Sequence, residues 1–159
     1  MSKIAIYPGS FDPLTYGHLN IIERGRLVFD KLIVSVAHNT SKKTIFSLEE
    51  RVDILKGALD KYDDVTIDSF DGLLVDYVKK KGVNVLLRGI RTISDFEYEF
   101  QMALSNKTLD NSIETVFMMT DLKYSYISSS LIKEIVKFGG SVTDMVPESV
   151  EKELLKKLS

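Results

Sequence analysis

Five short segments hold most of the residues suited to phosphate chemistry. They are Gly9-Ser-Phe-Asp-Pro-Leu-Thr-Tyr-Gly-His18, His38-Asn-Thr-Ser-Lys-Lys43, Phe70-Asp-Gly72, Arg88-Gly-Ile-Arg91 and Thr120 through Ser130. In the first, Gly9 permits a sharp turn and a close backbone approach to a ligand. Ser10 offers a hydroxyl and Phe11 a flat apolar face. Thr15 and His18 are three residues apart at an expected helix start, so both can project from one side of its first turn. Free N–H groups and the helix dipole favour an anion there, phosphate above all. The segment is neither a Walker loop nor the dinucleotide glycine fingerprint. The plainer alternative is that Thr15 caps the helix and His18 is merely exposed.

Each remaining segment also admits two uses. Lys42 and Lys43 supply positive charge, or form a solvated lysine pair. Arg88 and Arg91 carry planar forks that suit phosphate, or form ion pairs with Asp95 or Glu97. Ser128, Ser129 and Ser130 open a helix; one serine serves as an N-cap, and three exceed what a cap requires. Lys133, one turn later, could add charge. Glu99 by itself reads as a solvated helix position, Leu74 as core and His38 as surface. Phe96, Phe100 and Ala103 read as core or as a subunit contact.

These segments fall between elements of alternating type. Strands are expected at Lys3–Tyr7, ended by Pro8 and Gly9, and at Leu32–Ala37, Val65–Phe70, Val85–Arg88 and Glu114–Thr120. Helices are expected from about Gly17 to Phe29 and after Ser47, whose serine and Glu50 make a capping box, with Leu48, Val52, Leu55 and Leu59 on one face. Another runs from Leu73 to Lys81, stopped by Gly82. A second capping box, Ser94 with Glu97, opens a helix to about Leu109. The serine run opens a helix ending at Gly139-Gly140, and Pro147 starts the last one. Alternation of this kind implies an α/β fold, a parallel sheet with helices on both faces and right-handed connections. Ligands of such sheets bind beyond the carboxyl ends of the strands, where all five segments lie.

The chain has 159 residues, 44% hydrophobic and 28% charged, which suits one globular domain, 1–159. It has no cysteine, which excludes a disulfide framework, a thiolate nucleophile and a thiolate metal site. A net charge of −2 argues against a general nucleic-acid binder. No signal pattern or membrane-length apolar run is seen, so the expected location is cytoplasmic and no membrane partner is expected.

Gly9-Ser-Phe-Asp-Pro13 with Thr15-Tyr-Gly-His18 resembles the signature of the nucleotidyltransferase superfamily, usually ending in H-x-G-H. A threonine in the first histidine position is characteristic of the bacterial phosphopantetheine adenylyltransferases. Ser41-Lys-Lys43, Arg88 to Arg91 with Asp95 to Glu99, and Tyr124 to Ser130 match that family in order, so the resemblance covers essentially the whole chain. Ser10 stands where threonine is commonest, and the hydroxyl is retained.

The resemblance implies a Rossmann-like five-stranded parallel sheet of order 3-2-1-4-5 and a homohexamer. It implies transfer of AMP from Mg²⁺-ATP to 4′-phosphopantetheine, giving dephospho-coenzyme A and pyrophosphate, the penultimate step of coenzyme A synthesis. Dephospho-coenzyme A and coenzyme A are then product or feedback ligands. ATP would be bound by Ser10, Phe11, His18, Gly89, Ile90, Arg91, Glu99, Tyr124, Ser125, Tyr126, Ile127, Ser128, Ser129 and Ser130. The acceptor would be bound by Ser10, Lys42, Leu74 and Arg88. His18 would be the catalytic residue, with no protein residue assigned to the metal. Acceptors such as nicotinamide mononucleotide, or glycerol 3-phosphate with CTP, are an alternative within the superfamily. A nucleotide sensor without turnover is an alternative outside enzymes.

Overall fold

A computed structural model describes residues 1–158. Strands and helices alternate as β1 (Ile4–Gly9), α1 (Tyr16–Gly25), β2 (Lys31–His38), α2 (Leu48–Leu59), β3 (Val65–Asp71), α3 (Leu74–Lys81), β4 (Val85–Ile90), α4 (Ile93–Leu109) and β5 (Glu114–Met119). A single 3-10 turn (Leu122–Tyr124) then leads to α5 (Ser129–Lys137) and α6 (Glu148–Leu158). All pairings are parallel and the order is β3-β2-β1-β4-β5, as the resemblance implies. Among the described residues, no helix is long and apolar enough to cross a membrane.

The strand period of two divides the core. Ala5, Tyr7 and Leu87 face one side, where they meet Ile21 and Ile22 of α1, Leu55 and Leu59 of α2, Ile132 of α5 and Leu154 of α6. Ile6 and Leu86 face the other side and meet Val75, Tyr77 and Val78 of α3. Burying an Ile or Leu fully contributes about 1.5–3 kcal/mol. Ile6, Leu32, Leu55 and Leu87, each essentially unexposed, therefore anchor the layers.

Several boundaries differ from expectation. Pro8 and Gly9 do not end β1; they continue its ladder with β2, at Pro8↔Ser35 and Gly9↔Val36. A central strand tolerates this proline because β1 pairs with β4 only at Ile6↔Leu86. The Pro8 carbonyl faces β4, where it accepts from the Arg88 guanidinium, so the missing N–H falls on a side with no ladder to satisfy. Helix α1 stops at Gly25, short of Phe29. The chain turns there to bring the Asp30 and Lys31 amides to the Lys3 carbonyl, which starts the β1–β2 pairing. The cap of α4 is Thr92, whose hydroxyl accepts from the Asp95 amide; Ser94 lies inside the first turn. The Ser47–Glu50 capping box, the left-handed Gly82 (φ 67°) after α3 and the Ser128 cap of α5 are as expected.

Candidate active site

The β1–α1 loop sets the centre of the site. Thr15 caps α1 through its hydroxyl, which accepts the His18 N–H at 3.2 Å. The Thr15 N–H in return donates to His18 Nδ1 at 3.0 Å. An Nδ1 that accepts leaves the ring proton on Nε2. The cap and the imidazole thus form one device: Thr15 caps the helix, and His18 is half-buried with its ring in the wall of a cavity. Burial first, then the charges of Arg88 and Arg91, push the imidazole down to about 4. At neutral pH it is an uncharged Nε2–H donor. The Phe11 ring stands edge-on to it at 5.0 Å. That ring is 2% exposed, so it backs His18 rather than offering a ligand an open face.

The cavity beside His18 measures about 320 Å³ and opens at the carboxyl ends of β1 and β4. Its wall includes Ser10, Phe11, His18, Gly89, Arg91, Glu99, Ile127, Ser128, Ser129 and Ser130. Gly89 permits this closeness: a Cβ there would lie 2.9 Å from Ile21 of α1. Arg91 donates from Nε (3.0 Å) and Nη2 (3.2 Å) to Asp95 and from Nη1 to the Ile127 carbonyl (2.6 Å). Arg88 makes a two-pronged pair with Glu99, at 2.8 and 2.6 Å. A guanidinium has five N–H donors, so each arginine keeps two for a ligand. Of the carboxylates expected to compete, Asp95 pairs with Arg91, whereas Glu97 is exposed and Glu99 takes Arg88.

The serine run divides its work. Ser128 caps α5 by accepting the Leu131 N–H, and Ser129 Oγ donates to the Pro13 carbonyl at 3.0 Å. Ser130 is exposed at the cavity. The Ser129 proton is therefore engaged, whereas Ser128 only accepts and keeps its O–H; what the helix start presents to an anion is the Ser128 and Ser130 hydroxyls and backbone N–H groups. Ile90, Tyr124, Ser125 and Tyr126 lie outside the wall of this cavity. Tyr124 packs near Tyr16, with ring centroids 6.1 Å apart, and borders a separate hollow with Asn20 and Asp121. Lys133 pairs with the buried Asp12 at 3.1 Å.

A second cavity of about 310 Å³ adjoins the first. Phe70, Leu74, Leu86, Met102 and Ala103 give it an apolar wall, so Leu74, half-buried, is more than core packing. The two cavities share Pro8, Gly9, Ser10, Arg88 and Glu99. Lys42 lines neither. It is exposed, and its backbone N–H donates to the carbonyl of Asn39, which does line the second cavity.

Three residues carry more of this architecture than their sequence context suggests. Tyr7 lines the first cavity, and burial pushes its phenol up to about 12, so it stays a protonated donor. Asp12, 3% exposed, accepts from the Ile45 and Phe46 amides and from Lys133. Arg51 is 2% exposed on α2. A signal for Arg51 exists: it lies three residues after Leu48 and four before Leu55, on the stripe that α2 buries. Among the described residues no group of three or more His, Asp or Glu side chains could hold a metal ion.

The arrangement can bind a polyphosphate in a polar cavity and an apolar-armed second molecule beside it, and it can donate a hydrogen bond from a neutral imidazole near their junction. Comparison with known proteins agrees in kind. Residues 6–135 match the cytidylyltransferase-like family. The phosphopantetheine adenylyltransferase of Desulfosudis oleivorans is 56% identical over 156 residues, covering 98% of this chain and 93% of that protein. That of Clostridium novyi is 55% identical, covering 98% and 97%, and that of Dictyoglomus turgidum 55%, covering 96% of each.

Proposed function

The chain belongs to the phosphopantetheine adenylyltransferases of the cytidylyltransferase-like family, and from that membership we propose that it transfers the adenylyl group of ATP to 4′-phosphopantetheine. The products are dephospho-coenzyme A and pyrophosphate, in the cytoplasmic synthesis of coenzyme A by a single nucleotidyltransferase domain. The observation that carries this reading is the pair of cavities joined at Ser10, Arg88 and Glu99. One is polar and suits triphosphate; the other has the apolar wall that a pantetheine arm needs. Their junction is where two phosphates would meet.

In this reading ATP occupies the cavity of His18, Arg91 and the α5 start. The acceptor phosphate lies at Arg88 and Ser10, and its arm lies along Leu74 and Met102; Lys42, three residues after the cavity-lining Asn39, is assigned to the same phosphate by the family membership alone. The acceptor is already mostly dianionic at neutral pH, since a phosphomonoester's second pKa is about 6. No protein nucleophile or base is needed. Its oxygen attacks the α-phosphorus in line, the bond to the pyrophosphate oxygen breaks, and pyrophosphate leaves carrying that electron pair. His18 Nε2–H donates to the charge developing on the α-phosphoryl oxygens, and being neutral it needs no proton exchange to do so. Asp95 and Glu99 are already paired with arginines, so the donor set suits a Mg²⁺ ion held mainly by nucleotide oxygens and water, which would offset phosphate charge.

The division of the cavities is testable. Leu74→Asp should raise the Michaelis constant for phosphopantetheine about tenfold or more with little change for ATP, by placing a charge against the apolar arm. Arg91→Ala should do the reverse. Equal effects on both substrates in both variants would contradict the assignment. We also infer a homohexamer, supported by the apolar surface that α4 and β5 leave uncovered.

A further inference from the structure

Arg51 is an unusual buried residue. Its side chain comes from the first turn of α2 and is 2% exposed, yet among the described residues no carboxylate lies within ion-pair distance of it. Its Nη1 donates to the carbonyls of Ser10 (2.9 Å) and Ala37 (3.1 Å), and its Nε to that of Ser47 (3.4 Å). A cation whose hydrogen bonds go only to carbonyl dipoles is costly to bury, even with the charges of Asp12 and Glu49 acting on it from farther off. What those dipoles belong to gives it a use. Ala37 lies near the end of β2 and Ser10 follows β1, so the guanidinium ties together the two strand ends that border the site.

Ser10 is followed by Phe11, which has φ 49°. A bulky residue occupies that left-handed region only where its surroundings hold it. The loop is gripped on the far side as well. The Asp12 carboxylate takes the Ile45 and Phe46 amides and Lys133, and the Pro13 carbonyl takes Ser129 Oγ. Phe11 is thus bracketed by polar contacts on both sides, with Arg51 gripping the residue just before it. Its ring stands edge-on to the His18 imidazole.

We propose that Arg51 is a positioning residue: by holding the Ser10 carbonyl it keeps Phe11 in its left-handed conformation, with the Phe11 ring against His18, and so keeps the His18 Nε2–H aimed into the cavity. Its importance for turnover rests on the adenylyl-transfer reading above; its hold on His18 does not. A planar fork suits this task better than an ammonium, because one nitrogen reaches carbonyls at the ends of two neighbouring strands while another, held at a fixed angle to it, reaches back to the cap of its own helix.

Arg51→Lys keeps the charge and most of the stem. The test measures, on the full-length variant, steady-state constants for both substrates and the imidazole resonances of histidine-labelled protein, which has only two histidines to distinguish. Turnover should fall about tenfold to a hundredfold, the scale of a small misplacement of a catalytic group, with both Michaelis constants within about twofold of the wild type. The His18 ring resonances should shift as the Phe11 ring moves. Normal turnover with unshifted His18 resonances overturns the proposal. So does a rise in the Michaelis constants at unchanged turnover, which would make Arg51 part of substrate binding. Should Arg51→Lys not fold, Arg51→Gln, which keeps one amide donor for the Ser10 carbonyl and leaves the Phe11 ring in place, decides: shifted His18 resonances with reduced turnover support the chain of contacts, and unchanged ones overturn it. If the wild type makes no dephospho-coenzyme A, the functional reading fails, and the resonances alone still decide whether Arg51 positions His18.

Discussion

His18 combines two roles that the sequence presents as alternatives. Its backbone N–H receives the Thr15 cap while its Nδ1 is tied to the Thr15 amide, and this fixes the tautomer that leaves Nε2–H for a ligand. Desolvation and two nearby guanidinium charges then keep the ring neutral. The unfolded chain's imidazole takes up its proton near pH 6.5 and the folded one near 4. Between those values the unfolded state binds more protons, so this residue's contribution to stability falls as pH drops through that window and is fully lost below 4. A nuclear magnetic resonance titration should find the His18 midpoint near 4. A midpoint at the ordinary histidine value would contradict the environment described. A donor that acts on developing charge matters more in the transition state than in the bound substrate. His18→Ala should therefore lower turnover by about two to three orders of magnitude. The ATP dissociation constant should move far less. Near-normal turnover in that variant would remove the role, and normal turnover with weak ATP binding would recast His18 as a ground-state contact.

At the scale of elements, local chemistry was legible where a side chain acts on its own turn. The Ser47–Glu50 box, the Gly82 stop and the Ser128 cap each need only residues within one helical turn, and each lies where the sequence places it. Features decided by tertiary partners were not legible. Ser94 with Glu97 has the spacing of a capping box, but Thr92 sits where β4 delivers the chain and caps instead. Glu99 looks like a solvated helix position until β4 brings Arg88 against it, eleven residues away. The strand order came through the resemblance alone, since alternation does not determine it. Helix α4 also carries a stripe at helical spacing, Ile93, Phe96, Phe100 and Leu104, all more than 40% exposed. Phe96 and Phe100 stack on each other, and Phe96 also meets Phe117 edge-on, yet both stay exposed, so the expectation of a subunit contact suits them better than that of core. Phe100→Asp with Leu104→Asp should convert a sedimenting hexamer to smaller species while the circular dichroism of the fold persists. A wild type that sediments as a stable monomer would contradict the assembly.

The whole molecule places the candidate site where the strand order reverses, between β1 and β4. β1 and β4 are neighbours that pair only briefly, and beyond their last register pair the Arg88 guanidinium spans them. Polar and apolar cavities lie to either side of that arginine. The net charge of −2 is no obstacle to binding polyanions, because the cations that matter are local and prepositioned by Glu99 and Asp95. The resulting claim is a specific group transfer between two phosphate-bearing substrates. It is tested most directly by incubating the purified protein with Mg²⁺, ATP and an acceptor panel, following the products by mass spectrometry. The panel should include 4′-phosphopantetheine, nicotinamide mononucleotide and, with CTP, glycerol 3-phosphate. Dephospho-coenzyme A should form with one pyrophosphate released per molecule, and the other acceptors should give little or no product. ATP binding without any pyrophosphate release, or preferential adenylylation of nicotinamide mononucleotide, would contradict the account.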